Sequence, residues 1–397
     1  MKSIRLQPGR ERALRHRHPW VFEGGIARGS ADAGETVRVE SHDGAFLAWA
    51  AYSPASAIRL RAWSFDPDER VDRAFFARRI AAALAARSAL AIDSDGLRLV
   101  HAEADGLPAL VVDRYGDTLV AQFGAAGAER WRDVIADTLL AATGCTRLYE
   151  RSDAAVRQLE GLPERRGWLR RGGGDAGGTA LTIREHGWRL SLDVASGHKT
   201  GYYLDQRDNR ARFATLVRRH GAQRVLNCFS YTGGFSIAAL AGGARDVTSV
   251  DSSGPALAHV AGHVRLNGLD MAASRTVEAD VNRFLREQLA AGERFDAIVL
   301  DPPKFAPTAA SAARAARAYK DINRLALQLL APGGLLLTFS CSGGIPPDLF
   351  HKIVAGAGMD AGVDAAILER LQAAPDHAAS LYFPEGDYLK GLVLRRR

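Results

Sequence analysis

Cys341 stands between two serines where an apolar run opens into a Gly-Gly turn (LLLTFSCSGG), and a thiol so placed is a candidate nucleophile. Inert cysteines normally lie buried within strands or helices. Cys228 belongs to a different turn and Cys145 lies upstream of the segments that carry the remaining chemistry, so both read as structural. The run FDAIVLD ends in Asp301, followed by Pro302, Pro303 and Lys304. Two prolines fix the backbone and remove N–H donors, which suits a rigid wall beside a planar base. The plainer reading is a stiff strand-end turn. RVLNCFSYTGGF (Arg224–Phe235) carries a hydrophobic strand into a small polar turn where Gly233 and Gly234 let the backbone approach a ligand. Without a GxGxxG pattern, a dinucleotide pyrophosphate is not the expected occupant. VTSVD ends in Asp251, a carboxylate suited to both hydroxyls of a ribose, and SRTVEAD ends in Asp280, within reach of an adenine amino group. A single such Asp is often a helix N-cap. Three strand ends bearing Asn227, Asp251 and Asp280 in register weigh instead for one bound nucleoside.

These residues need a frame that aligns strand ends. From about residue 184 onward, short apolar runs alternate with helical stretches, which implies βαβ units and a doubly wound α/β domain with a parallel sheet covered on both faces. Upstream, Glu35–Trp63 alternates apolar and polar residues between Gly and Ser-Pro turns, marking a β-rich domain over residues 1–72. Val71, Phe75, Phe76, Ile80 and Leu84 recur at helical spacing. Leu97–Phe123 reads as a β-meander and Ala128–Ala142 as a helix, giving an α+β middle domain over 73–183 and leaving 184–397 for the α/β domain. The Gly-rich stretch RRGGGDAGGT is expected to be a linker with no assigned chemistry. The Ala-rich stretch 309–318 is expected to be helical or a lid.

At 397 residues the chain exceeds one ordinary core. Its 47% hydrophobic and 24% charged residues are those of a soluble globular protein, with no run near the roughly 20 apolar residues of a membrane span. The basic N-terminus lacks the apolar stretch of a secretory signal, so a cytoplasmic location is expected and no membrane partner. Three widely spaced cysteines with no CxxC pair support neither disulfides nor a metal site. A net charge of +7 favours polyanionic partners. Arg5, Arg10, Arg12, Arg15, Arg17 and His18 crowd the N-terminus, and Arg165, Arg166, Arg170 and Arg171 cluster in mid-chain, although solvated arginines alone are equally common.

Taken together, SGHKTGYYLDQRDNR (Ser196–Arg210), VLNCFSYTGGFS, FDAIVLDPPKF, YKDINRLALQLL (Tyr319–Leu330) and FSCSGG resemble the bacterial large-subunit (23S) ribosomal RNA cytosine-5 methyltransferases of type I. HPWVFEGGI (His18–Ile26) extends the likeness to the opening of that family's PUA domain. The resemblance implies an RNA-binding PUA domain, a middle domain and a class I, Rossmann-like methyltransferase domain using S-adenosyl-L-methionine on 23S ribosomal RNA. Related enzymes suggest a homodimer. Carried onto this chain, Asn227, Phe229, Tyr231, Gly233, Asp251, Asp280, Asp301 and Pro302 form the cofactor shell, and Arg15, Arg17, His18, Lys199 and Lys304 contact RNA. The segment from His198 to Arg207 would fold over the cofactor or substrate.

Cys341 would be the nucleophile. Carbon 5 of cytosine is too electron-poor to attack a sulfonium methyl, and thiolate addition at carbon 6 makes it enamine-like. A free thiol, with a pKa of about 8.5, needs a cation or helix N-terminus nearby, and Lys304 is the candidate. The base must also be unstacked, which explains the RNA-binding domains. Many RNA cytosine-5 methyltransferases carry a Pro-Cys pair where this chain has Pro302-Pro303, so Asp301 or a water is left to assist release of the product. A methyltransferase acting on an exocyclic amino group and a noncatalytic RNA-binding assembly factor are the rival readings, with a nicotinamide-dependent oxidoreductase a distant third.

Overall fold

The computed structural model describes residues 2–172, 177–305 and 312–397. The centre of the Gly-rich linker and the start of the Ala-rich stretch lie outside the described residues, while Ala312–Leu329 is an α-helix. The chain divides into two compact units, one made of Met1–Glu185, Leu192–Leu204 and Pro375–Gly386, the other of His186–Ser191, Asp205–Ala374 and Asp387–Arg397.

The first unit holds two sheets. Six strands, β1 (Ser3–Leu6), β2 (Trp20–Phe22), β3 (Ile26–Arg28), β4 (Thr36–Glu40), β5 (Phe46–Tyr52) and β6 (Ile58–Ser64), form a sheet of order β2-β6-β5-β4-β1-β3. Its alternation buries Ile4, Leu6, Val37, Val39, Ala48, Ala50 and Leu60 in one core. Five more, β7 (Gly96–His101), β8 (Leu110–Tyr115), β9 (Thr118–Phe123), β10 (Arg147–Ser152) and β11 (Arg165–Arg170), form a sheet of order β11-β10-β9-β8-β7. The helix Arg73–Ser88, capped by Asp72 through the Phe75 N–H, buries Phe75, Phe76 and Ile80 against it.

Strands β12 (Ala180–Glu185) and β13 (Trp188–Asp193) make a hairpin. The second unit is a seven-stranded sheet of β14 (Arg224–Cys228), β15 (Asp246–Asp251), β16 (Ser274–Glu278), β17 (Phe295–Leu300), β18 (Leu330–Ser340), β19 (Ala365–Gln372) and β20 (Lys390–Arg396), in the order β16-β15-β14-β17-β18-β20-β19. Strands β14 to β18 run parallel, and β20 lies antiparallel between β18 and β19. The order reverses between β14 and β17, which in an open α/β sheet opens a crevice at the carboxyl ends of the strands. Near-continuous apolar runs such as Ile298, Val299 and Leu300, all fully buried, reflect helices on both faces. Among the described residues no helix is long and apolar enough to cross a membrane.

Sequence reading assigns everything after residue 183 to the α/β domain, yet Leu192–Leu204 and Pro375–Gly386 group with the first unit. A buried polar network holds them there. The fully buried Asp113 carboxylate accepts Arg98 Nε at 2.5 Å and Nη2 at 2.9 Å, and also Thr200 Oγ1 at 2.5 Å. The Arg98 N–H donates to Asp376 at 3.0 Å, and the Tyr202 N–H donates to the Tyr115 hydroxyl at 3.2 Å. An arginine taken out of water keeps its charge and therefore needs such a partner to offset the cost of burying it. Asp113→Ala, which strands Arg98, is expected to lower the stability of this unit by about 3–5 kcal/mol in urea unfolding, whereas pairing Arg98→Met with Asp113→Leu restores most of it.

Candidate active site

The crevice is built from five strand ends, those of β14 to β18. Past β14 the backbone turns through Phe229 (φ 56°), Tyr231 (φ 48°) and Gly233 (φ 84°) before the helix Gly234–Gly242. Left-handed φ is rare for bulky side chains and is held only where the surroundings impose it. Asp251, at the end of β15, accepts the Tyr231 N–H at 2.8 Å on one oxygen and the Ser253 N–H at 2.9 Å on the other. The Thr232 carbonyl receives a proton from His263 Nδ1 at 2.9 Å, while His263 Nε2 accepts the Ser191 N–H at 3.0 Å. Gly233 is required twice over, since a Cβ there would lie 2.9 Å from Val260 as well as on a positive-φ residue.

Three buried polar atoms of this turn, Asn227 Oδ1, Ser230 Oγ and Thr232 Oγ1, have no hydrogen-bond partner among the described residues. Such atoms are costly unless a ligand or water meets them, and they fit the polar adenosine and amino-acid moieties of S-adenosylmethionine. The Asn227 amide itself is 1% exposed and donates to Ser236 Oγ at 2.9 Å, inside the sheet-helix layer. Asp280 lies past the end of β16 and caps the helix Val281–Ala290 through the Arg283 N–H at 2.9 Å. The capping role that three aligned strand ends weighed against is thus the one it performs.

On the other side of the switch point, Asp301 is half-buried one residue past β17 and Pro302 is buried. Cys341, half-buried one residue past β18, has its Sγ 4.0 Å from the Pro302 carbonyl. Both neighbours of Cys341 are fixed from below. Ser340 Oγ donates to the buried Tyr319 hydroxyl at 3.0 Å, and that hydroxyl lies 3.0 Å from Ser342 Oγ. Burial pushes the Tyr319 pKa up, keeping it a neutral hydrogen-bonding group. Lys390, paired in register with Ser340, donates to the carbonyls of Ser342 at 2.9 Å and Ile345 at 2.8 Å. Burial lowers the Lys390 pKa and the nearby Lys304 adds to this, while Cys341 and Asp387 oppose it. The cation buried beside the thiol is therefore Lys390, with Lys304 exposed at the rim. Phe229, Phe305 and Tyr319 meet in series, edge-on at 6.5 Å and tilted at 4.9 Å between ring centroids, joining the turn to the cysteine frame. The other cysteines are buried, and burial alone pushes the Cys228 thiol well up.

Of the residues expected to meet RNA, Arg15, Arg17, His18 and Lys199 belong to the first unit and Lys304 to the second. Arg15 and Arg17 are exposed. Arg17 also lines a cavity of about 540 Å³ together with Glu69, Arg79, Glu103 and Tyr382. His18 packs against Trp20 and Phe383 and lies 3.4 Å from Glu385, and Lys199 sits 4.3 Å over the Tyr203 ring. His263, Tyr319 and Lys390 were not singled out in the sequence. The only local signal was for Tyr319, at the head of YKDINRLALQLL.

The reversed strand order and the strained, unsatisfied turn define a doubly wound transferase of the methyltransferase class, and the family model for S-adenosylmethionine-dependent methyltransferases matches residues 170–393. A PUA-like domain model matches residues 4–65. The chain is 50% identical over 399 residues to the Ribosomal RNA large subunit methyltransferase I of Aeromonas salmonicida, covering 99% of both chains, and 48% identical over 400 residues to that of Escherichia coli, again covering 99% of both. It belongs to the Ribosomal RNA large subunit methyltransferase I family and uses S-adenosylmethionine. The same fold occurs in an S-adenosylmethionine-dependent methyltransferase from Streptococcus mutans (22% identity, TM-score 0.84) and in a methyltransferase crystallised with S-adenosylhomocysteine (23% identity, TM-score 0.86), each covering the whole of both chains.

The brace on the turn carries a pH signature. Burial lowers the His263 pKa below its ordinary 6.5, against the carbonyls of Ser191 and Thr232, which pull it up. The folded chain thus holds this proton less tightly than the unfolded chain. The stability it contributes is complete above 6.5 and declines as pH falls through that value. His263→Gln is expected to flatten the fall in thermal midpoint between about pH 7 and 5.5 and to weaken S-adenosylmethionine binding by roughly tenfold in calorimetry at neutral pH.

Proposed function

We propose that this chain methylates carbon 5 of a cytosine in 23S ribosomal RNA, with Cys341 as the covalent nucleophile. The observation that carries the reading is the position of Cys341, a half-buried thiol at a strand end beside the Pro302 carbonyl with a buried lysine at its back. A cysteine kept only for packing would be fully buried, as Cys228 is. The names of the relatives place ribosomal RNA as the substrate class.

In this reading the Phe229–Gly233 turn and Asp251 hold the cofactor. The second lone pairs of the Asp251 oxygens receive ribose hydroxyls, and Ser230 and Thr232 supply further polar contacts. Asp280 uses one oxygen as a helix cap and offers the other to the adenine edge. Bound S-adenosylmethionine supplies an electrophilic methyl on its sulfonium sulfur. The Cys341 thiolate adds to carbon 6 of the cytosine, and the ring π electrons move to carbon 5, which becomes the nucleophile. Pro302, with no N–H and a fixed φ, walls the base without competing for its hydrogen bonds. After methylation, Asp301 is the carboxylate on the same edge to take the carbon 5 proton, directly or through water. That electron pair re-forms the 5,6 double bond and expels the thiolate.

Lys390 stabilises the thiolate electrostatically, and Tyr319 with Ser340 and Ser342 positions it. Cys341→Ser is expected to lower methyl transfer by at least roughly 1,000-fold. RNA carrying 5-fluorocytosine is expected to give a denaturant-stable adduct with the wild-type enzyme, because carbon 5 then has no proton to lose. Near-normal turnover of Cys341→Ser would instead point to direct attack by an exocyclic nitrogen. Lys390→Met is expected to move the pH profile of Cys341 alkylation by iodoacetamide up by roughly one unit, with Lys390→Arg restoring most of it.

A further inference from the structure

One basic cluster of the sequence has no part in the cofactor or cysteine chemistry. It lies on β11, the edge strand of the five-stranded sheet. Most of its arginines are engaged within the protein. Arg165 pairs with Glu129 at 2.9 Å, Arg166 with Asp153, and Arg170 with Asp137 at 2.8 Å and Asp133 at 3.0 Å.

Arg171 is different, and so is Arg147 on the neighbouring β10. Among the described residues neither pairs with a carboxylate, and each guanidinium lies against the Trp168 indole, Arg147 at 5.6 Å and Arg171 at 5.5 Å from the ring centroid. Trp168 is itself fixed by its cross-strand partner Tyr149, edge-on at 5.1 Å. A guanidinium held over an indole by cation–π attraction gives up some of its rotamer freedom but none of its hydrogen-bonding capacity, because the attraction to the ring spends none of its N–H donors. Among the described residues two cations are thereby held with their donors unspent, Arg147 on β10 and Arg171 one residue past the edge strand β11.

Planar donors of this kind match phosphate oxygens in pairs, and an aromatic ring among arginines is the composition of single-strand nucleic-acid platforms. We propose that Arg147, Trp168 and Arg171 form an RNA-contact surface, separate from the N-terminal PUA-like domain, that grips the phosphate backbone of the ribosomal RNA substrate. This rests on the reading of ribosomal RNA as substrate. The chain's net charge of +7 accords with it. An acidic protein surface would satisfy the same cations, but it would not need an indole between them.

The test is equilibrium binding of the full-length protein to transcribed 23S ribosomal RNA over a salt series, with S-adenosylmethionine affinity by calorimetry as the check on folding. The Arg147→Gln/Arg171→Gln variant is expected to bind RNA about tenfold more weakly and to flatten the slope of log affinity against log salt by about 1.4, two phosphates at about 0.7 each, with cofactor affinity unchanged. Trp168→Leu is expected to weaken binding by a smaller factor, since both charges remain. Arg166→Gln, which removes an ion-paired arginine of the same strand, is expected to stay within about twofold of wild type. An unchanged slope and affinity in the double variant overturns this surface alone. Loss of binding to assembled large subunits with RNA affinity intact also overturns it, in favour of a protein partner. A wild-type chain that fails to bind the RNA removes both this surface and the functional reading beneath it.

Discussion

The active-site architecture depends on a backbone that pays for its shape. Left-handed φ at a phenylalanine and a tyrosine costs on the order of 1–3 kcal/mol each. Phe229 and Tyr231 both adopt it within three residues of each other. The offset comes from outside the turn: a carboxylate from β15 on the Tyr231 N–H, an imidazole from the helix Gly254–Leu266 on the Thr232 carbonyl, and Val260 closed down on Gly233. Those same contacts leave the Ser230 and Thr232 hydroxyls buried and unmatched. A connection that served only to join strand to helix would relax both faults. Strain together with unspent hydrogen bonds marks a turn shaped for what binds to it.

In the proposed mechanism the cysteine edge meets a second requirement by longer-range means. A thiolate needs positive charge, but a fully solvated lysine is screened by water and a fully buried one deprotonates. Lys390 lies between these limits. Two carbonyls take two of its three N–H donors, and those carbonyls belong to the turn that follows Cys341, so charge and geometry are delivered by one side chain. The antiparallel insertion of β20 beside β18 makes this possible, because it brings a residue from near the chain's end into register with Ser340. The ring contacts from Phe229 through Phe305 to Tyr319 then tie this frame to the strained turn.

What the sequence made legible follows from how local each constraint is. Apolar runs of strand length separated by helical stretches were enough to read the parallel sheet, and the polar residues closing those runs were enough to put Asp251, Asp301 and Cys341 at the carboxyl ends of its strands. Asp280 was legible only as one of two roles, since a cap and a ligand contact use the same residue at the same place. Lys390 and His263 carried no local signal. A lysine opening a strand and a histidine within a helix become informative only once β20 pairs with β18 and the helix packs under the turn. The segments 192–204 and 375–386 were assigned to the α/β domain because they adjoin it in sequence. Buried hydrogen bonds from the Arg98 N–H to Asp376 and from the Thr200 hydroxyl to Asp113, invisible to periodicity, attach them to the first unit.

Charge shows the same limit from the other direction. Counting arginines marks β11 as basic, but Arg165, Arg166 and Arg170 are largely cancelled by Glu129, Asp153, Asp133 and Asp137, and exposed pairs of this kind add little to either stability or attraction. A polyanion responds to cations whose field is not already closed by a neighbouring carboxylate, and it binds most tightly to those that need not be ordered first. By that criterion the cluster's four arginines, three on β11 and one just past it, reduce to Arg171, joined by Arg147 from β10, and the decisive residue is the uncharged Trp168 that holds the two in place. The electrostatic footprint of the protein is therefore set by how its cations are partnered, and an aromatic ring can matter to it more than another arginine.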